Sequence, residues 1–208
     1  MGGLSAQCST PLGPSTRHQP THHRHGSEWQ WRSRYGTSVE NKHEHRDEHA
    51  QKKASQIVSV NPAYQPSEAV LRIRLEADEQ WSYVQSKRNQ RWLWWVEDHD
   101  TGQVVAFLFG RRSNESFRRL LALLANSGIE VSRWFTDYWW AYHDLLPASL
   151  HQAGKDQTQS IERKHLDLRI RIKRLARRTI CFSKSELIHD TVIGLLINQV
   201  FFKLNIHS

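Results

Sequence analysis

The sequence predicts an α/β domain, a mixed sheet flanked by helices, behind an N-terminal segment without fixed structure. Three observations carry this. The composition changes near residue 52, three β-patterned runs with short connections follow, and a fourth run is reached only through a helical stretch. Residues 1–51 hold seven of the 13 His, but their only Ile, Leu, Val or Met residues are Met1, Leu4, Leu12 and Val39. So little aliphatic surface does not offset the entropy of ordering the chain, and the segment is expected to be disordered. Residues 52–68 read as a linker and 69–208 as the folded domain.

Within that domain, Val70 to Asp78 alternates at period 2 and continues through Trp81 to Val84 as a first strand. Gln90 to Val96 and Val104 to Phe109 are two more. The Asp and Gly residues of Glu97 to Gly102 suit a hairpin between them, so the three make an antiparallel meander. Ser113 or Asn114 caps a helix that carries Phe117, Leu120, Leu121 and Leu124 on one face and stops before Gly128. Ile129 to Phe135 returns as a strand, reached through that helical crossover, which makes the sheet a mixed one. Tyr138 to Leu146 reads as a short helix stopped by Pro147, and 147–160 as a polar connection. A C-terminal helix spans Leu187 to Phe202.

The 208 residues carry a formal net charge of +8 and a pI near 9.8. Nine Lys/Arg against two acids between Ile161 and Lys184 account for seven of those charges. Ile161, His165, Leu168, Ile172 and Leu175 fall on one helical stripe there, which makes an amphipathic basic helix and points to an anionic partner. The longest apolar run, Val192 to Leu204, contains Asn198, Gln199 and Lys203 and is too short to span a bilayer. The two cysteines, Cys8 and Cys181, make neither a disulfide framework nor a zinc module. A soluble, cytoplasmic protein is expected.

Three acids stand where elements meet: Asp78 in the first strand, Asp137 directly after the fourth, and Glu162 at the start of the basic helix. Converging carboxylates raise one another's pKa unless divalent cations restore their charge. Oxygen ligands without Cys or His select Mg2+ or Mn2+, and two such ions suit in-line displacement at a phosphodiester. Glu76 or Glu79 could replace Asp78, and Asp137 could also cap the helix that follows it. Trp134, Trp139 and Trp140 are expected in the core or the wall of the site. His18, His22, His23 and His25 read as a solvated tract.

Asp78-Glu79-Gln80-Trp81 with Tyr83-Val84, then Gln90-Arg91-Trp92-Leu93, Thr136-Asp137, Ile161-Glu162-Arg163 and Phe182-Ser183-Lys184-Ser185 resemble, in that order, the transposases of insertion sequence 1. The resemblance covers about residues 52–206. It implies a ribonuclease-H-like catalytic domain over 69–208. It further implies an Asp-Asp-Glu recombinase that cleaves element ends and joins them to target DNA, with Asp78, Asp137 and Glu162 holding two Mg2+ or Mn2+ ions. Arg163, Lys164, Arg169 and Lys173 are then the DNA-holding cations. Arg169 lies seven residues after Glu162, on the same helix face. The implied partners are the terminal inverted repeats and target DNA, bound by a homo-oligomer in a synaptic complex associated with the nucleoid.

Relatives of this kind carry a zinc-ribbon and helix-turn-helix region ahead of the catalytic domain, and neither is recognisable here. Their full products arise by frameshifting at an adenine-rich site. Because Lys52-Lys53 sits where the resemblance begins, residues 1–51 are expected to be the downstream frame read backward across that region. A non-catalytic DNA-binding regulator of the element is the alternative function.

Overall fold

The computed structural model describes residues 46–65, 73–154, 158–176 and 180–205. The His-rich tract, Cys8, the start of the predicted first strand at 70–72, and Arg177 and Arg178 lie outside the described residues. Five strands form one sheet: β1 Ile73–Val84, β2 Ser86–Asp98, β3 Val104–Gly110, β4 Val131–Thr136 and β5 His151–Ala153, in the order β3-β2-β1-β4-β5. β1 pairs antiparallel with β2, and β2 with β3, which is the predicted meander. β4 pairs parallel with β1, and β5 with β4. This is the ribonuclease-H-like arrangement the sequence resemblance implies.

The helices are α1 over 46–54, α2 Asn114–Asn126, α3 Trp140–Leu145, α4 Gln159–Arg171 and α5 Glu186–Val200. The Ser113 hydroxyl accepts the Ser116 N–H to start α2, and Ser185 does the same for α5 with Ile188. Strand alternation sends the sheet's side chains into two cores. Leu75, Ala77, Trp94 and Val96 pack with Phe117, Leu120 and Tyr142 of α2 and α3. Leu93, Trp95 and Phe107 meet Ile161, Leu168 and Ile172 of the α4 region and Ile193 and Ile197 of α5 on the opposite face.

Four details differ from the sequence reading. Helix α1 over 46–54 begins inside the segment expected to be disordered and runs into the expected linker. The basic helix ends at Arg171. Ile172 turns the chain into a short 3-10 segment, Lys173–Leu175, and still all five stripe residues from Ile161 to Leu175 are buried. The polar connection 147–160 contains β5, whose three residues are too few to show a period. Part of the expected linker lies on the sheet edge. Asn61 N–H donates to the Val105 carbonyl and Phe107 N–H to that of Ser59, while the Asn198 side chain exchanges two hydrogen bonds with the Val58 backbone.

Ile57 completes that contact by lying on Gly194 of α5. A Cβ at residue 194 would stand 2.9 Å from Ile57 Cδ1 and 3.0 Å from its Cγ2. Gly194→Val therefore overpacks a close approach, and a loss of about 1–3 kcal/mol is expected. Thermal unfolding checks this; an unchanged midpoint would show that residues 57–58 do not pack on α5.

Candidate metal centre

β1 runs past the end of β4, since its last partner there is Ala77 opposite Thr136. The next two β1 residues, Asp78 and Glu79, therefore border the loop that Asp137 opens. Asp78, Glu79 and Asp137 each offer a carboxylate oxygen, and these oxygens lie within 4.8 Å of one another. Local hydrogen bonds fix two of the groups. The Asp78 carboxylate accepts the Glu79 N–H at 2.8 Å, and Asp137 Oδ1 accepts the Trp139 N–H at 2.9 Å just ahead of α3. Asp137 therefore ties the turn ahead of α3 and does not cap the helix as weighed from sequence, since Trp139 is the N-cap and no side-chain bond caps it there; the second Asp137 oxygen faces Arg112 at 3.7 Å.

Alternation gives the two β1 acids different surroundings. Asp78 faces α4, where His165 Nδ1 stands 3.8 Å from its Oδ2. Glu79 points toward α2 and α3; its side chain is 1% exposed and lies against the buried Tyr142 hydroxyl. Burial, then the charges of Asp137 and Glu162, push the Asp78 carboxyl up to about 6, against the pull of the Glu79 N–H and Arg112. Burial pushes Glu79 up to about 7, with Arg112 opposing and Asp78 and Asp137 adding to the rise.

Glu162, on the exposed first turn of α4, is close enough to act on Asp78 electrostatically but does not belong to the 4.8 Å group. Glu79 is the carboxylate that joins Asp78 and Asp137. Its position next to Asp78 was visible in the sequence, whereas its approach to Asp137 depends on β1 outrunning β4. Glu76, the other acid weighed, instead pairs with His99 at 2.6 Å.

The basic residues separate into different roles. Lys164, read as a DNA-holding cation, donates to the fully buried Glu97 at 2.7 Å and to Ser160 at 3.0 Å. Arg163 and Lys173 are exposed, and Arg169 lies near His165, whose imidazole is driven down to about 3 by burial and then by the charges of Arg169 and Lys164. Arg112 was not singled out from sequence. Its guanidinium lies 3.4 Å from Glu79 and 3.7 Å from Asp137, over the rings of Trp92 and Trp139. Trp134 is buried and Trp139 half-buried as expected, but Trp140 is 58% exposed, because α3 turns that position outward.

The donor set suits a hard divalent cation: carboxylate oxygens only, two of them on acids whose burial disfavours the bare charge. Asp78 and Glu79 bind protons more tightly folded than unfolded. The stability they contribute is present at low pH and lost as pH rises through about 6–7. A cation restores it by replacing the protons. His165 and His189, held neutral, run in the opposite sense, so the informative quantity is the Mg2+-dependent difference. Thermal stabilisation by Mg2+ is expected to be large at pH 8. The apparent affinity should fall about tenfold per pH unit, for each proton displaced, below about 6–7. Equal stabilisation at pH 5.5 and pH 8 would contradict a cation on these acids.

Among the described residues no helix is long and apolar enough to cross a membrane. The family model described as IS1 transposase matches residues 71–203. The insertion element iso-IS1n protein InsB of Shigella dysenteriae is 50% identical over 129 residues, which cover 61% of this chain and 95% of that protein. An InsB protein of insertion element IS1 from Escherichia coli K12 is 43% identical over 140 residues, 67% of this chain and 82% of its own length. The HTLV-2 integrase catalytic core domain, solved in complex with magnesium in a trimeric form, aligns with a TM-score of 0.41 at 12% identity, over 62% of this chain and 86% of that one.

Proposed function

The chain belongs to the IS1 transposase family, and from that premise we propose that it catalyses metal-dependent cleavage and strand transfer of DNA at the ends of an insertion element. The observation that carries this reading is the convergence of Asp78 and Asp137 within one carboxylate group, with Glu162 acting on Asp78 from α4. Asp78, Asp137 and Glu162 are the residues that would hold two Mg2+ or Mn2+ ions. Bound there, such ions supply activation of the attacking oxygen and neutralisation of charge at the phosphodiester.

The chain's own residues do the rest. The Glu79 and Trp139 N–H groups orient the Asp78 and Asp137 carboxylates. Burial limits the screening of Asp78, whose side chain is 18% exposed. Arg163, Arg169 and Lys173 on and after α4 hold phosphates beside them. Water first opens the phosphodiester at the element end and frees a 3′-hydroxyl. That hydroxyl then attacks a target phosphodiester, and the target's own 3′-oxygen leaves. The partners are the terminal inverted repeats and target DNA, held by a homo-oligomer in the synaptic complex, at the nucleoid in the cytoplasm.

A nicking and strand-transfer assay on the element's terminal inverted repeats tests this. Products are expected with Mg2+ and none with a chelator. DNA binding without cleavage under any divalent cation would replace the reading by that of a non-catalytic regulator.

A further inference from the structure

A second cationic surface lies away from α4. β2 starts at once after Gln85, which adopts φ 64, so the β1–β2 ribbon projects beyond β3, whose last residue Gly110 pairs with Trp92. Between the ribbon and the chain leaving β3 is a groove of about 490 Å³, lined by Arg88, Arg91, Trp92, Arg111, Arg112 and Glu186 among others. Four guanidiniums face one carboxylate there. Arg91 is held by Asp190 and Glu186, and Arg112 by Glu79, Asp137 and the two indoles. Arg88 and Arg111 are exposed, and among the described residues neither forms an ion pair.

We propose that this groove is a DNA-binding site that holds the phosphate backbone of a strand next to the acid cluster. Guanidinium forks match phosphate oxygens, and Arg88 and Arg111, whose charges no described acid neutralises, leave the groove with a positive excess that attracts a polyanion. Trp92, half-buried on the groove wall, lies under the Arg112 guanidinium at 5.1 Å. Arg112 joins the two sites, since it lines the groove and also reaches Glu79 and Asp137. A phosphate seated on Arg112 is therefore one side chain away from the acids, and the stacked indoles keep that guanidinium from swinging into solvent. The inference rests on the transposase reading, whose own DNA-holding cations lie on and after α4.

The test measures binding of the full chain to a 20-bp duplex and to the matching single strand, by fluorescence anisotropy across a salt series without divalent cations. Arg88→Ala/Arg111→Ala removes two exposed cations from the groove and touches no acid of the cluster. It is expected to weaken binding at least about tenfold near 0.1 M salt. The slope of log K against log salt should fall by about 0.9 per lost contact on duplex, or about 0.7 on single strand. Arg118→Ala/Arg119→Ala takes the same charge from the exposed face of α2 and should leave the slope unchanged. Parent affinity and slope in the first variant, an equal loss in the second, or a groove dependence greater for an acidic peptide than for DNA would each overturn the proposal. The cleavage assay separates it from the reading on which it rests. Groove-dependent binding with no cleavage leaves the groove and removes the enzyme; cleavage with no groove dependence does the reverse.

Discussion

Asp137→Asn is expected to lower Mg2+-dependent cleavage of the element ends by at least about 10³-fold, roughly 4 kcal/mol of barrier, while DNA binding changes only a few-fold. Asparagine keeps the acceptor for the Trp139 N–H and so preserves the turn into α3. It also removes one of the charges that push Asp78 up, so the fold does not suffer. What it cannot supply is the anionic oxygen that faces Asp78 and Glu79. Asp78→Asn should behave alike. The contrast between Glu162→Gln and Glu79→Gln locates the third ligand. A ligand role for Glu162 predicts a loss as large as that of Asp137→Asn for Glu162→Gln and a milder one for Glu79→Gln. Single-turnover cleavage reads all four variants. Parent-like cleavage by Asp137→Asn would remove the metal site, and abolition by Glu79→Gln with survival of Glu162→Gln would transfer the third position to Glu79.

Periodicity made much of the scaffold legible. The stripe from Ile161 to Leu175 and the alternation in β1 each report a buried face, and these patterns survive the early end of α4 because burial depends on which face a residue occupies. β5 was not legible, since the pairing of His151 to Ala153 with β4 is set by the sheet that receives them. Nor was the packing of Ile57, which needs the missing side chain of Gly194 in another element. At the site, Asp78 and Asp137 could be placed because strand ends are legible. Arg112 could not be, because its role comes from Trp92, Glu79, Asp137 and Trp139, brought from three other segments. Trp140 shows the converse: aromatic residues are commonly buried, and a one-residue phase in a short helix decided otherwise.

Lys164 is the cation for which sequence context misled most, and it carries the largest expected stability effect. Among nine basic residues it looks like one more phosphate contact, yet its ammonium is the partner of Glu97, which is completely buried on the α4 face of β2. Glu97 stands directly opposite Glu76 in the β1–β2 register, and Glu76 is pushed up to about 6 by burial, with Glu97 adding to the rise and His99 and Lys164 opposing it. Lys164→Met leaves two buried carboxylates facing each other, with the His99 imidazole on Glu76 and the Trp95 indole N–H on Glu97 as the remaining partners. Removing one partner from such a pair costs about 3–5 kcal/mol, a fall of about 6–20 °C in the unfolding midpoint for a domain of this size. Glu97→Gln should cost less, since Lys164 is 21% exposed and can turn its ammonium to water. Glu97→Met with Lys164→Met should recover most of the loss, because it leaves no unpaired charge. The Lys164→Met deficit should also shrink from pH 8 to pH 5, where protonation of Glu76 relieves the repulsion. A deficit under about 1 kcal/mol would class the pair with exposed ion pairs. Because Lys164 is two residues from Glu162, the same variant should reduce cleavage beyond what the unfolded fraction explains, and that excess measures how far the buried pair positions α4 against Asp78.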